Sequence, residues 1–189
     1  LLIDDLAPVR PIDVTELPRP RPPITISRSN ADLSLATAMA AIKNRDDARG
    51  YSLRQIREIR EVRALAPVLD VAPIRFATGS SAIDPAEAEK LAELGALIVE
   101  LIEKRPNELF LIEGHTDAVG SAASNLALSD RRAESLALAL TEYFDVPPEN
   151  LVVQGYGESD LLVPTDAAEP RNRRVAVRLV SPLMQASLN

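Results

Sequence analysis

The chain has 189 residues, 46% of them hydrophobic and 26% charged, which suits one ordinary domain with an appendage and argues against wholesale disorder. A net charge of −7 leaves no long basic patch for a nucleic-acid partner, and the absence of cysteine excludes disulfides, thiolate metal sites and thiol nucleophiles. One histidine in the whole chain removes every multi-histidine metal site and most triad chemistry.

With 3% aromatic residues and no Trp, the core must be built from Leu, Ile, Val and Ala. No run of about 18 apolar residues is present to span a bilayer. The chain opens on Leu1 without a basic region and apolar stretch behind it, so it reads as a processed or trimmed chain whose export signal is out of view.

Six of the fifteen prolines lie in the first 24 residues, where each removes a backbone donor and fixes φ. Residues 1–28 therefore read as a Pro-rich extended tether, or equally as a leader left by trimming. Residues 29–70 read as a short helical segment or linker. Ala31 to Ile42 has high helix propensity with Leu35, Met39 and Ile42 on one face. A second helix is expected from Ser52 to about Leu65, where Ile56, Ile59 and Val62 form a narrow stripe among alternating charges. That helix is either solvated, docked on its own chain or a partner-docking element.

Residues 71–182 read as the main domain. Ile74-Arg75-Phe76-Ala77 is a short strand. Asp84-Pro85-Ala86-Glu87 opens a helix, with Asp84 as N-cap and Glu87 closing a capping box. Leu91, Leu94, Ile98, Leu101 and Ile102 follow at helical spacing, and Pro106 stops the run. Glu108 to His115 is a central strand, apolar on both faces in its middle. A second long helix runs from about Ala122 to Phe144 with Leu126, Ala133, Leu136, Ala137 and Leu140 inward. Leu151 to Tyr156 is a third strand, and Arg174 to Val180 a fourth that alternates. The order β-α-β-α-β-β predicts an α/β (α+β) domain, a two-layer sandwich of two long helices on a small mixed four-stranded sheet. Residues 183–189 are left as a C-terminal tail.

The chemistry concentrates where the central strand runs into the second helix. Asp117 sits at the strand's exit, and Arg132 projects from the helix fifteen residues later. A carboxylate beside a guanidinium suits a zwitterion, whose ammonium meets Asp and whose carboxylate meets Arg. An ordinary Asp117–Arg132 salt bridge, or two unrelated surface charges, is the plainer alternative. His115 beside Asp117, with Ser121 or Ser129 as nucleophile, would be a hydrolytic arrangement, but nothing in the spacing places the serine. Glu113, His115 and Asp117 share one strand face, yet a metal site there lacks support. Arg131 and Arg132 diverge by ~100° around the helix, so a single pocket holds one of them.

The string Gly114-His115-Thr116-Asp117-x-x-Gly120, then Asn125-x-x-Leu128-Ser129-x-x-Arg132-Ala133, then Gly155-Tyr156-Gly157-Glu158-Ser159, then Arg171-Asn172-Arg173-Arg174-Val175 resembles the OmpA C-terminal family, which includes peptidoglycan-associated lipoproteins and flagellar motor stator proteins. The resemblance covers roughly residues 74–180. It implies non-covalent binding of peptidoglycan through the diaminopimelate of the stem peptide, in the periplasm and at the outer membrane, with no cofactor, metal or catalytic residue. Carried over by position, Asp117 is the ligand carboxylate and Arg132 the arginine that holds the ligand's carboxylate. Thr116, Asn125 and Arg173 are accessory ligand-binding positions. Here the loop before Asn172 reads Ala167-Ala168-Glu169-Pro170-Arg171 where the family often carries Gly-Arg, so a different loop shape is expected. Residues 1–70 would tether the domain to another envelope protein. The competing reading keeps the fold as a protein–protein assembly module. A peptidoglycan hydrolase is disfavoured by the single His and the missing Cys.

Overall fold

The computed structural model describes residues 24–30, 36, 37, 40 and 50–185. The tether reading of 1–23 and most of the helix expected over 31–42 lie outside those residues. Leu69–Arg178 forms one compact unit, and the described residues before and after it form another.

In the smaller unit, the end of the expected tether is a strand. Thr25–Ile26 (β1) precedes Val68–Leu69 (β2), and Val68 N–H donates to the Ile24 carbonyl at 2.9 Å. Ile26 is fully buried. The proline argument stops at Pro23, and the β-branched Ile24-Thr25-Ile26 behind it favours pairing. The helix expected over 52–65 is broken into Leu53–Glu58 (α1) and Arg60–Arg63 (α2) by an extended Ile59, at φ −101° and ψ 109°. Ser52 and Gln55 form a capping box at the start, and Arg63 Nη1 donates to the Arg57 carbonyl at 3.1 Å. The break lets both Ile56 and Val62 be fully buried. The C-terminal tail is also more ordered than expected: Ser181–Gln185 (α5) is helical, and Leu183 is buried.

The larger unit holds Ile74–Arg75 (β3), Ala88–Lys104 (α3), Phe110–Gly114 (β4), Ala122–Phe144 (α4), Leu151–Gly155 (β5) and most of Arg174–Leu179 (β6). These are the elements and the order that the periodicity predicts. β4 and β5 are parallel with Phe110 opposite Leu151 and Gly114 opposite Gly155, as the helical crossover α4 requires. β3 pairs antiparallel with β6, which also neighbours β4, giving the order β3-β6-β4-β5.

Phe110 and Ile112 of β4 and Val175 and Val177 of β6 are buried with Leu94, Leu97, Ile98 and Leu101 of α3 and Ala133, Leu136 and Leu140 of α4. β6 alternates buried and half-buried positions, as expected of a strand with one covered face. Three details differ from the sequence reading. Leu97 is fully buried although the stripe omitted it, while Leu126 is 47% exposed although the stripe included it. Glu87 does not close a capping box; its carboxylate accepts from Arg75 N–H at 3.1 Å and pairs with Lys90, while Asp84 alone caps a 3₁₀ turn over Pro85–Glu87. Two short strands, β1 and β2, add to the four expected.

No helix among the described residues is long and apolar enough to cross a membrane.

Candidate binding site at the exit of β4

The site begins with a close approach of backbone to backbone. A Cβ on Gly114 would lie 1.9 Å from the Ser129 carbonyl oxygen, so only glycine lets α4 seat against the end of β4. Ser129 Oγ then accepts Gly157 N–H at 2.8 Å, and Thr116 N–H donates to the Gly157 carbonyl at 3.0 Å. Gly157 has φ +55° and packs against the backbone of Leu126, so the turn after β5 is clamped between β4 and the first turn of α4. Ser121 caps that helix, accepting Ser124 N–H at 3.2 Å.

Around this frame the expected residues come together, but with different partners. Asp117, 5% exposed, pairs with Arg173 rather than Arg132: Arg173 Nη1 is 3.0 Å from Asp117 Oδ2, and its Nε donates to the Phe76 carbonyl at 3.2 Å. Asp117 Oδ1 accepts Val119 N–H at 3.3 Å, and Asn125 Nδ2 donates to the carbonyls of Asp117 and Val119. The same nitrogen donates to Glu158 Oε2 at 2.5 Å. The Thr116 hydroxyl oxygen is buried without a hydrogen-bond partner.

Arg132 is completely buried, beneath the chain that follows β3. Its Nε donates to Ser80 O at 2.8 Å, Nη1 to His115 O at 3.1 Å and Nη2 to Ala77 O at 3.0 Å, and the guanidinium lies 5.2 Å from the Phe76 ring centre. Of its five N–H groups, one on each terminal nitrogen remains. Burial, then Arg173 nearby, lowers its pKa to about 10, with Asp117 opposing; it stays charged at neutral pH. Arg131 is exposed, as the angular argument requires.

His115 belongs to the other side of the strand. Gly114 faces α4, so Glu113 and His115 face away from it. His115 is fully buried, its ring is stacked on Tyr156 with centroids 5.8 Å apart, and Nε2 is 3.5 Å from Glu113 Oε2. Glu113 Oε1 accepts from Arg178 Nε at 2.8 Å. Burial lowers the His115 pKa, against the pull of Glu113. Ser129 lies on the helix side and Ser121 at the helix cap, so the sheet separates the imidazole from Ser129, and Ser121 Oγ is engaged with Ser124. Among the described residues no group of three or more His, Asp or Glu side chains is placed to hold a metal ion.

The loop before Asn172, whose sequence departs from the family's, is held by its own contacts. Glu169 accepts from Arg171 N–H and pairs with its guanidinium, which holds the carboxyl down at about 2. Asn172, fully buried, exchanges two hydrogen bonds with the backbone of Val163, each at 2.8 Å. The sequence reading missed Glu158, Phe76 and Ser80 as parts of the site. Glu158 stood inside a quoted motif and carried that signal; Phe76 and Ser80 carried none.

Comparison with known proteins agrees with this architecture. The chain is 36% identical over 80 residues to outer membrane porin F of Pseudomonas aeruginosa, covering 41% of this chain and 23% of that protein. It is 43% identical over 68 residues to the outer-membrane lipoprotein YfiB of the same organism, covering 35% and 40%. The chain thus spans less than half the length of these curated relatives. Among solved structures, the C-terminal domain of Helicobacter pylori MotB matches with a TM-score of 0.50 at 22% identity, covering 63% of this chain and 98% of that one, a likeness of fold. The OmpA family model matches residues 75–174, more than half of the sequence and nearly all of the larger unit, and the chain belongs to the OmpA family.

Proposed function

We propose that the Leu69–Arg178 unit binds peptidoglycan non-covalently through the diaminopimelate of the stem peptide, and so anchors an envelope protein to the cell wall from the periplasm. The observation that carries this reading is the cluster at the exit of β4: the Asp117–Arg173 pair, Arg132 charged beneath it, and a buried Thr116 oxygen with no protein partner. A free amino-acid centre offers an ammonium and a carboxylate side by side, and this cluster offers the opposite charges side by side. Asp117 keeps lone pairs beyond its bonds to Arg173 and Val119, enough to accept an ammonium. Arg173 meets the ligand's carboxylate directly, because Arg132 is covered; Arg132 contributes its positive field from below. The role is binding and not catalysis. Residues before the domain serve as the tether to another envelope protein.

Calorimetric titration with the tripeptide L-Ala-γ-D-Glu-meso-diaminopimelate tests the assignment. Asp117→Asn, which keeps shape and drops charge, is expected to weaken binding about tenfold to a hundredfold. The corresponding lysine tripeptide, which lacks the second carboxylate, is expected to bind less well to the wild type. No binding by the wild type, or equal binding by Asp117→Asn, would overturn the reading and favour an assembly module.

A further inference from the structure

We infer that Glu158 is a second ligand-binding carboxylate of this site, taking the ligand's amine together with Asp117. The inference rests on the proposed function and extends it to a residue on a different element. Asp117 is already neutralised in part by Arg173, at 3.0 Å, and its other oxygen accepts a backbone N–H. An ammonium arriving there must share the carboxylate with a guanidinium, which reduces the attraction it feels. Glu158 has no such competitor. Its side-chain partner is the neutral amide of Asn125, on Oε2, and among the described residues it forms no ion pair.

Its position is fixed by the fold. Gly157, immediately before it, is held by the Ser129 hydroxyl, by Thr116 N–H and by the backbone of Leu126. Asn125 links Glu158 to the loop that carries Asp117. Asn125 Nδ2 is within hydrogen-bond distance of Glu158 Oε2 and of the Asp117 and Val119 carbonyls, so one amide nitrogen ties both carboxylate-bearing segments together. A carboxylate can only accept, as can the two carbonyls, so the amide orientation is unambiguous and the Asn125 oxygen is turned away from Glu158. Glu158 is half-buried, and Val119 and Leu126 beside it are exposed. An amine settling between Asp117 and Glu158 would meet two carboxylates, with Arg173 and Arg132 supplying two positive charges for the ligand's carboxylate. The four charges sum to zero, which matches a zwitterion better than a simple cation or anion.

The test pairs a variant with a ligand change. Wild type, Glu158→Gln and Asp117→Asn are titrated with the diaminopimelate tripeptide and with the same peptide acetylated on the free diaminopimelate amine. Thermal unfolding is followed in parallel. Glu158→Gln is expected to bind the free-amine peptide about tenfold more weakly than wild type, the scale of one charge-assisted hydrogen bond, with an unchanged melting temperature. Toward the acetylated peptide the two proteins are expected to bind equally, which a merely structural role would not produce. Glu158→Gln binding both peptides as wild type does, or losing affinity for both alike, would overturn the inference while Asp117→Asn still reports on the site. Failure of the wild type to bind either peptide would overturn the proposed function itself.

Discussion

At the scale of single residues, burial assigns the charged groups their tasks. Arg132 donates to three backbone carbonyls, two in the turn after β3 and one after β4, so its truncation strands buried acceptors rather than only emptying a ligand pocket. Arg132→Ala is expected to cost about 2–5 kcal/mol in urea unfolding, whereas Arg173→Ala, at a partly exposed position, is expected to weaken ligand binding with a smaller loss of stability. His115 gives the pH dependence. It is surrounded by Glu113 on its own strand, Arg174 and Arg178 on β6, and Tyr156 and Asp160 after β5, and burial holds its pKa below the ordinary value of 6.5. The unfolded chain therefore takes up the proton first as pH falls. The stability associated with neutral His115 is complete above about pH 6.5 and is lost as the pH drops from there towards the lowered folded value. Urea midpoints measured from pH 7.5 to 5 are expected to fall more steeply for wild type than for His115→Phe. Parallel curves for the two proteins would show that another group governs the decline.

At the scale of elements, the site depends on one contact between a helix and a strand. Asp117 rides on the exit of β4, Asn125 and Arg132 on α4, and Glu158 on the turn after β5. Gly114 sets the distance among them because any side chain there would strike the Ser129 carbonyl. Gly114→Ala is expected to lower both thermal stability and ligand affinity, with the affinity loss persisting under conditions where the variant is fully folded. Wild-type affinity in the folded variant would mean that the seat of α4 does not control the site. Away from the site, Leu136 is fully buried, and Leu136→Ala is expected to cost about 2–5 kcal/mol from lost transfer energy and a residual cavity. Its ligand affinity, measured on folded protein, should stay near that of wild type, because Leu136 lies a full turn beyond Arg132 on the same helix.

At the scale of the whole molecule, a member of the OmpA family presents a polar cluster at one end of a small sheet, and the proposed anchoring needs that cluster kept in place under load from a tether. β4 is the strand best suited to it, since every residue from Phe110 to Gly114 is buried and both neighbours in the sheet are paired to it. Amide exchange is expected to be slowest along β4 and the inner face of α4. Periodicity and punctuation determined most of this from sequence. The 3.6-residue spacing in 88–104 and 122–144, the apolar run at 110–112 and the alternation in 174–179 gave the elements and their order, because burial on one side leaves a period in the residues. Four short motifs gave the family. The tertiary structure decided what spacing does not encode: that Ile59 breaks a helix, that Leu126 faces outward, that Asp117 pairs with Arg173, and that Arg132 is held by carbonyls of the chain after β3. The last two depend on which distant segments arrive beside a side chain, and a local period carries no record of arrivals 40 or more residues away.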